Sequence, residues 1–337
     1  MPEGHRLDPT ILREYDIRGI VPDTLNAAAA RAIGCAFGSI LLDRGGKSTV
    51  VGYDGRLTSP ALEAALVEGL SSTGIGVVRI GLGPTPMLYY AQITLPTDAG
   101  LMITGSHNPP DYNGIKLVLD GKPFFADDIR WLGECAGRGD FTIGEGKVTE
   151  KAVLSDYVAR LLSDYEPGGG APLKVAWDAG NGAAGEALTR LCEGLPGSHI
   201  LLNEDIDGTF PAHHPDPTVE KNLAQLKEDF PSLKIVKLEQ NYRSTARILR
   251  SANTVIANNP HVFEKALWSD HTIGEEIRIV RCRSEDAEAD RVAIEILDQK
   301  LKKGLGFKDF AVLYRGNHQA RLLEMKLQAY QIPYRIS

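Results

Sequence analysis

The sequence predicts an α/β protein of more than one domain. Two observations carry this. Strand-like and helix-like segments alternate along most of the chain, and 337 residues supply cores for two or three domains at about 100–200 residues each. A third observation separates the two ends. Residues 227–337 hold 19 Lys and Arg against 15 Asp and Glu, whereas residues 1–226 hold 18 against 29. Such asymmetry is expected where two parts meet different partners, the basic part being the candidate for nucleic acid, although so small an excess is also an ordinary solvated surface.

Taken in order, Asp23 and Thr24 can cap a helix running to about Leu42, and "STVVGYD" is strand-like. Ser59-Pro60 offers an N-cap followed by proline at the first helical position, for a helix over "ALEAALVEGLSS". "VVRI", "AGLMITGS" and "GIKLVLD" read as strands separated by turn-forming residues. A helix over "LSDYVARLLSDY" ends at the linker-like "EPGGG", 166–170. Then come the strand "LKVAWD", a helix from about Ala183 to Glu193, and the strand "HILLN". Beyond Asp229 the pattern restarts: "LKIVKLE", a helix over "STARILRSANTVIAN", "EIRIVRC", a long helix from Ser284 to about Lys303, "FAVLYR", another helix, and "YRIS".

Apolar residues at 43% and charged residues at 24% are typical of soluble globular chains, and no apolar run approaches the ~18 residues of a membrane span. "MPEGHRLDPT" lacks the basic and apolar regions of a signal peptide. Cys35, Cys135, Cys192 and Cys282 form no CxxC pair. A reducing cytoplasm, with four unpaired and mostly buried thiols, is the expectation.

The first chemical candidate is "MITGSHNPPDYNGIK", 102–116. Gly105 lets backbone approach a ligand closely, Ser106 offers a hydroxyl nucleophile, His107 adjoins it, and Pro109-Pro110 stiffen the loop. As bare letters, a strand-ending turn accounts for the same residues. The wider sequence adds "LREYDIRGIV" at 12–21, "VGYDGRLTSP" at 51–60, "WDAGNGAAG" at 177–185 and "DGTFPAHHPDPTVEKNL" at 207–223. With these, residues 9 to 223 resemble the phosphomannomutase/phosphoglucomutase family of phosphohexomutases.

The resemblance implies phosphoryl shuttling between a phosphoserine and a hexose phosphate by way of a hexose 1,6-bisphosphate. By motif position Ser106 is the phosphoryl carrier, Lys116 and His107 assist proton transfer, and Arg18 contacts phosphate; Arg18 and Lys116 also read as plain surface charges, and His107 as a turn residue. The implied cofactor is Mg²⁺, held in that family by the phosphoserine oxygen, here that of Ser106, and by three carboxylates of a D-G-D-G-D-R loop. This sequence contains no such loop, and full turnover is not expected without it.

A second resemblance explains the downstream sequence. "FPSLKIVKLEQNYRSTARILRSANTVIANN", 230–259, and "KDFAVLYRGNHQARLLEMKLQAYQIPYRIS", 308–337, resemble the Rep/UvrD group of superfamily 1 DNA helicases. It implies adenine stacking on Tyr242, a γ-phosphate contact from Arg243, ATP as the nucleotide of this part, and single-stranded DNA as a partner for 227–337. The implied fold is phosphohexomutase domain I (1–150), a truncated domain II (151–226) and a partial RecA-like α/β motor domain (227–337). The two resemblances overlap at "NLAQL", 222–226, as a join between parts of two proteins: a natural fusion, an engineered chimera or an assembly error.

Two tempting motifs are set aside. "LLDRGGKST", 41–49, ends like a phosphate-binding loop, but Leu41 stands where the opening glycine belongs and the segment runs from helix to strand, the reverse of the required order. ATP-driven unwinding is therefore not expected. Gly180-Asn181-Gly182-Ala183-Ala184-Gly185, with Glu204 beyond the next strand, has dinucleotide-site spacing; the mutase resemblance makes it a strand-to-helix turn.

Overall fold

The computed structural model describes residues 4–166, 172–214, 216, 238–259, 266–314 and 316–335. They belong to two compact units, Met1–Leu233 and Lys234–Ser337. The "NLAQL" join, most of "EPGGG" and most of "LKIVKLE" lie outside the described residues.

The first unit is built on a seven-stranded mixed sheet. Its strands are β1 (Ile17–Ile20), β2 (Ser48–Tyr53), β3 (Gly76–Leu82), β4 (Ala99–Ile103), β5 (Tyr112–Leu119), β6 (Lys122–Pro123) and β7 (Val148–Glu150), in the order β1-β5-β4-β2-β3-β7 with β6 paired to β5. β2 runs parallel to β3 and β4, with Val51 opposite Arg79 and Leu101. β5 is antiparallel to β4 and β1, with Lys116 opposite Met102 and Gly114 opposite Arg18. The chain steps outward from β2 to β3 through α2 (Ser59–Ser71), then back past β2 to β4 through α3 (Thr85–Thr94). Right-handed crossovers in opposite directions place these helices on opposite faces.

Side-chain alternation along the strands follows from that layering. Val51, Val77, Leu101, Ile103, Ile115 and Leu117 point to a core shared with α1 (Ala27–Asp43), α2 and α4 (Asp127–Arg138), whereas Val50, Ile80 and Met102 point to Met87, Leu88 and Ala91 of α3. Strands covered on both faces read as apolar runs, and "AGLMI" is buried at every position. α1 lies close against α2: a Cβ on Gly69 would come within 2.1 Å of the Arg31 carbonyl, so only glycine permits the approach.

Two helix starts differ from expectation. Asn26, not Asp23 or Thr24, caps α1 by accepting from Ala29 N at 3.0 Å, because the Thr24 hydroxyl is taken by Ile20 N at 2.9 Å. Ser59 is the first residue of α2 rather than its cap, and its hydroxyl donates to Asp54 instead. α3 and α4 were not read from the sequence. Proline and polar residues mask the period of α3, and the apolar stripe of α4 is only Ile129, Leu132 and Ala136.

The smaller part of this unit has α5 (Leu154–Ser163), then β8 (Lys174–Asp178), α6 (Gly185–Gly194) and β9 (Ser198–Leu202); β8 and β9 pair in parallel, with Trp177 opposite Leu201. Of the four free cysteines only Cys35 is buried, and Cys282 is exposed, so the expectation of mostly buried thiols is corrected.

In the second unit, α7 (Ala246–Ile256), α8 (Glu285–Lys303) and α9 (Asn317–Ala329) form where helices were expected. α8 carries complete end signals: the Ser284 hydroxyl accepts from Ala287 N, acidic residues fill its first turn, lysines its last, and Gly304 closes it at φ 67°. Ala293 and Ile296 pack with Leu327 of α9 and Ile332. The expected strands "EIRIVRC" and "FAVLYR" are not formed; among the described residues the only β pairing of this unit is a single bridge between Gln240 and Trp268. A parallel strand needs neighbours for its hydrogen bonds and helices on both faces. Without them Ile279 is 90% and Leu313 93% exposed, and a RecA-like layered sheet is not observed among the described residues. Also among the described residues, no helix is long and apolar enough to cross a membrane.

Candidate active site

The site lies at the carboxyl ends of β2 and β4, adjacent parallel strands whose onward connections run in opposite directions along the sheet, from β2 to β3 and from β4 to β5. That is the switch point where open α/β sheets hold ligands. Tyr53 pairs with Ile103 in register, so Asp54 and Thr104 emerge side by side, and Asp54 N donates to the Ile103 carbonyl at 2.9 Å.

Ser106 sits two residues beyond, exposed, at φ 54°. A left-handed backbone at a non-glycine residue is uncommon and persists only where the surroundings hold it. Here the hold is visible. Ser106 N donates to Thr104 Oγ1 at 3.0 Å, Gly105 N donates to Asp54 Oδ2 at 3.1 Å, and Asn108 Nδ2 donates to the Gly105 carbonyl at 2.8 Å. Beneath the loop lies Arg56, 1% exposed. Its Nη1 donates to the carbonyls of Pro109 at 2.5 Å and Tyr112 at 3.0 Å, and its Nη2 to those of Ser106 at 3.0 Å and Asn108 at 2.6 Å. Asp54 Oδ2 lies 3.4 Å from Nε and supplies the counter-charge. Burial draws the guanidinium's pKa below that of a free arginine, and Asp54 opposes this.

The Ser106 hydroxyl lies 3.3 Å from His107 Nδ1, and His107 is also exposed. Arg18 on β1 and Lys116 on β5 share one face of the sheet, gathered by Asp16: Arg18 Nη2 is 2.6 Å and Lys116 Nζ 3.7 Å from Asp16 Oδ2. This is the α3 side, but α3 packs on β2 and β4, and Arg18 and Lys116 stay part-exposed while Asp16 between them is buried. Of the residues expected from the sequence, Ser106 and His107 are in contact, and Arg18 and Lys116 meet through Asp16. The sequence reading missed Arg56, Asp54, Asp16 and the fully buried Asn113, whose amide donates to Thr58 Oγ1 and Ser59 Oγ at 2.9 Å each. "DGRLTSP" at a strand end, with a lone arginine between turn residues, was the available signal for the first two.

Gly105 admits no larger residue. A Cβ there would stand 2.3 Å from Arg56 Nε and 2.8 Å from the Tyr112 carbonyl. Gly105→Ala should therefore cost about 1–3 kcal/mol, as overpacking does, and displace the serine loop. A denaturation midpoint equal to the parent's would refute that.

In the smaller domain the G-x-G-x-x-G turn is filled by the chain's own residues. Asn181 N donates to the Asn203 carbonyl at 2.8 Å, Asn181 Nδ2 to the Asp205 carbonyl at 2.9 Å, and a Cβ on Gly185 would meet the Glu204 carbonyl at 1.8 Å. His213 Nε2 lies 2.9 Å from Asp178 Oδ2. Burial pulls the His213 pKa down, but the hydrogen bond to the His214 carbonyl and the bond and charge of Asp178 outweigh it, so the net shift is upward. Asp178 is shifted downward: burial raises it, and the bonds from Asn203, Gly180 and His213 overcome that. A histidine raised on folding stabilises fully below its unfolded value of about 6.5, and the contribution is lost as pH rises through the folded value. His213→Ala should thus destabilise by roughly 1 kcal/mol more near pH 5.5 than near pH 8.5, measured by urea denaturation at both. An equal loss at the two pH values would contradict it.

Mg²⁺ does not fit these residues. A hard divalent cation needs several oxygen ligands, and among the described residues no group of three His, Cys, Asp or Glu is placed to hold a metal. Asp54 is engaged by Gly105 N, Arg56 N and Ser59 Oγ, and Asp16 by Arg18 and Lys116. Elsewhere, in the second unit, Tyr242 is 78% exposed, its hydroxyl donating to Gln240 Oε1 at 2.9 Å, and Arg243 N donates to Asn241 Oδ1 at 2.9 Å in the turn before α7.

The fold and site define a helix-covered mixed α/β domain with a serine turn at its switch point, followed by a smaller α/β domain. Residues 9–142 match the alpha/beta/alpha domain I of the phosphoglucomutase/phosphomannomutase family, and residues 155–238 match its alpha/beta/alpha domain II. Residues 236–337 match the UvrD-like helicase C-terminal domain, so the matched segments meet near 236–238 rather than at 222–226. A phosphomannomutase/phosphoglucomutase of Pseudomonas aeruginosa is 44% identical over 220 residues, which are 65% of this chain and 47% of that protein. A phosphoglucomutase of Neisseria meningitidis is 41% identical over 218 residues, 64% of this chain and 47% of that protein. The chain thus spans about half the length of the curated relatives it matches. A crystal structure of a phosphoglucomutase/phosphomannomutase family protein from Burkholderia thailandensis superimposes with TM-score 0.65 at 36% identity, covering 75% of this chain and 60% of that one.

Proposed function

We propose that this chain accepts a phosphoryl group on Ser106 from a hexose 1,6-bisphosphate and returns it to a hexose phosphate, the half-reactions of a phosphohexomutase. The observation that supports this most is the exposed hydroxyl on a left-handed turn held from beneath by buried Arg56. Such fixed geometry is what phosphoryl transfer requires of a nucleophile. Ser106 Oγ bonds to phosphorus as the bond from phosphorus to the sugar oxygen breaks. His107, in contact with the hydroxyl, takes its proton. Lys116 returns a proton to the leaving sugar oxygen, and Arg18 holds phosphate oxygens. This reading assigns phosphoryl acceptance to residues 1–150, takes 151–226 as the second mutase domain, and gives 227–337 no part in the reaction.

Incubating the full chain with glucose 1,6-bisphosphate labelled in its phosphates tests this. Label should appear on the protein and be absent from Ser106→Ala. An unlabelled parent chain, or label that persists in Ser106→Ala, would overturn the proposal.

A second reading applies to residues 227–337, favoured by the UvrD-like match and by the exposed Tyr242 beside Arg243. It has adenine of ATP stacking on Tyr242 and single-stranded DNA as the partner. Binding of an oligonucleotide that weakens steeply with added salt is its expected sign; retention no better than that of an acidic control protein excludes it.

A further inference from the structure

The first mutase domain does not hold its serine loop alone. Phe210, from the second mutase domain, lays its ring over the guanidinium of Arg56, with Cζ 5.1 Å from the ring centroid. This is the same guanidinium whose nitrogens bind the carbonyls of Ser106, Asn108, Pro109 and Tyr112. The approach is close along the whole turn. A Cβ on Gly208 would stand 2.6 Å from Leu57 N and 2.7 Å from the Gly55 carbonyl, and one on Gly55 would stand 2.4 Å from Ile206 Cγ2. Phe210 itself adopts φ 51°, a conformation that disfavours a bulky aromatic residue and that glycine or asparagine would adopt more easily. Asp207 and Thr209 form their own turn without needing the ring, Thr209 N and Oγ1 donating to Asp207 Oδ1 at 2.8 and 2.7 Å. A turn that needs no aromatic carries one in a strained backbone, against a buried cation.

We infer that Phe210 is a positioning residue for Ser106: its ring closes off the Arg56 guanidinium from water and thereby keeps all four loop carbonyls bound, so that the second domain sets the order of the serine loop in the first. This rests on the phosphoryl-acceptor reading for its catalytic consequence, but its structural content is separable. The ring acts on the serine loop through the arginine. Water entering beside the guanidinium would compete for its N–H groups and screen its charge from Asp54.

The test compares Phe210→Leu, Phe210→Gly and Phe210→Tyr in the full chain. Phe210→Gly relieves the backbone while removing the ring, so it separates the turn from the contact; Phe210→Tyr keeps both ring and shape. Amide exchange of residues 105–112 should quicken about tenfold in the leucine and glycine variants, the size of one lost cation–ring contact. It should stay at the parent rate in the tyrosine variant, and exchange in β2 and β4 should be unchanged in all three. The initial rate of labelling by the bisphosphate should fall about tenfold in the leucine and glycine variants at saturating donor, with the half-saturating concentration unmoved. Parent-like loop exchange in Phe210→Gly, or loop exchange raised equally in Phe210→Tyr, overturns the inference. If the parent takes no label, the phosphoryl-acceptor reading fails, while the exchange comparison still decides whether Phe210 orders the loop.

Discussion

Arg56→Met is expected to remove phosphoryl uptake by Ser106 and to destabilise the first unit by about 3–5 kcal/mol, as breaking a buried ion pair does. The side chain is 1% exposed, yet it serves four backbone carbonyls and one carboxylate. Methionine fills much of the volume and supplies no donor. The carbonyls of residues 106, 108, 109 and 112 then lose their partner, and Asp54 keeps its charge with its counter-ion gone. Arg56→Lys should recover only part of the loss, because an ammonium is a point charge with three donors and cannot present the two-sided fork these carbonyls use. Urea denaturation and bisphosphate labelling of both variants check this. A methionine variant as stable as the parent would show that the loop holds itself.

The second large effect concerns Glu63, fully buried on α2 and paired at both oxygens with Arg79 of β3: Nε to Oε1 at 2.8 Å and Nη2 to Oε2 at 2.6 Å. Arg79 also lies 3.6 Å from Glu150 of β7. Arg79→Met should cost about 3–5 kcal/mol, because it leaves a carboxylate in the core with no partner. Adding Glu63→Leu to that variant should return most of the stability, since an apolar pair of similar volume is often as stable as the ions it replaces. A double variant no more stable than Arg79→Met would mean that the pair is not the source of the loss. The bidentate pair also ties α2 to the strand that follows it.

The alternation of strands and helices through the first unit was legible because covered parallel strands and their crossover helices leave simple patterns. "STVVGY" and "AGLMI" formed where expected, as did the long helix that opens at Ser284 and closes at Gly304. Capping was less legible. Thr24 and Ser59 have the chemistry of caps, but their hydroxyls are taken by Ile20 N and Asp54, a choice made by neighbours the local sequence does not name. In the second unit the apolar runs "EIRIVRC" and "FAVLYR" have strand-like composition and form no strand, since β structure is completed by partners and not by composition.

The sequence by itself determined which residues could do chemistry: a serine between glycine and histidine, an arginine in "YDIRG", a lysine in "NGIK", and the motif order by which residues 9–223 resemble the phosphohexomutases. Those features are local, written in residue type and spacing over a dozen positions. Only the tertiary structure decided what holds them. Arg56 is far in sequence from the carbonyls it binds, Asp16 gathers Arg18 and Lys116 from two strands, and Phe210 reaches Arg56 from another domain. Desolvated charge pairs and ring contacts of this kind depend on burial and on long-range closure of the chain, and neither is encoded in any single stretch of letters.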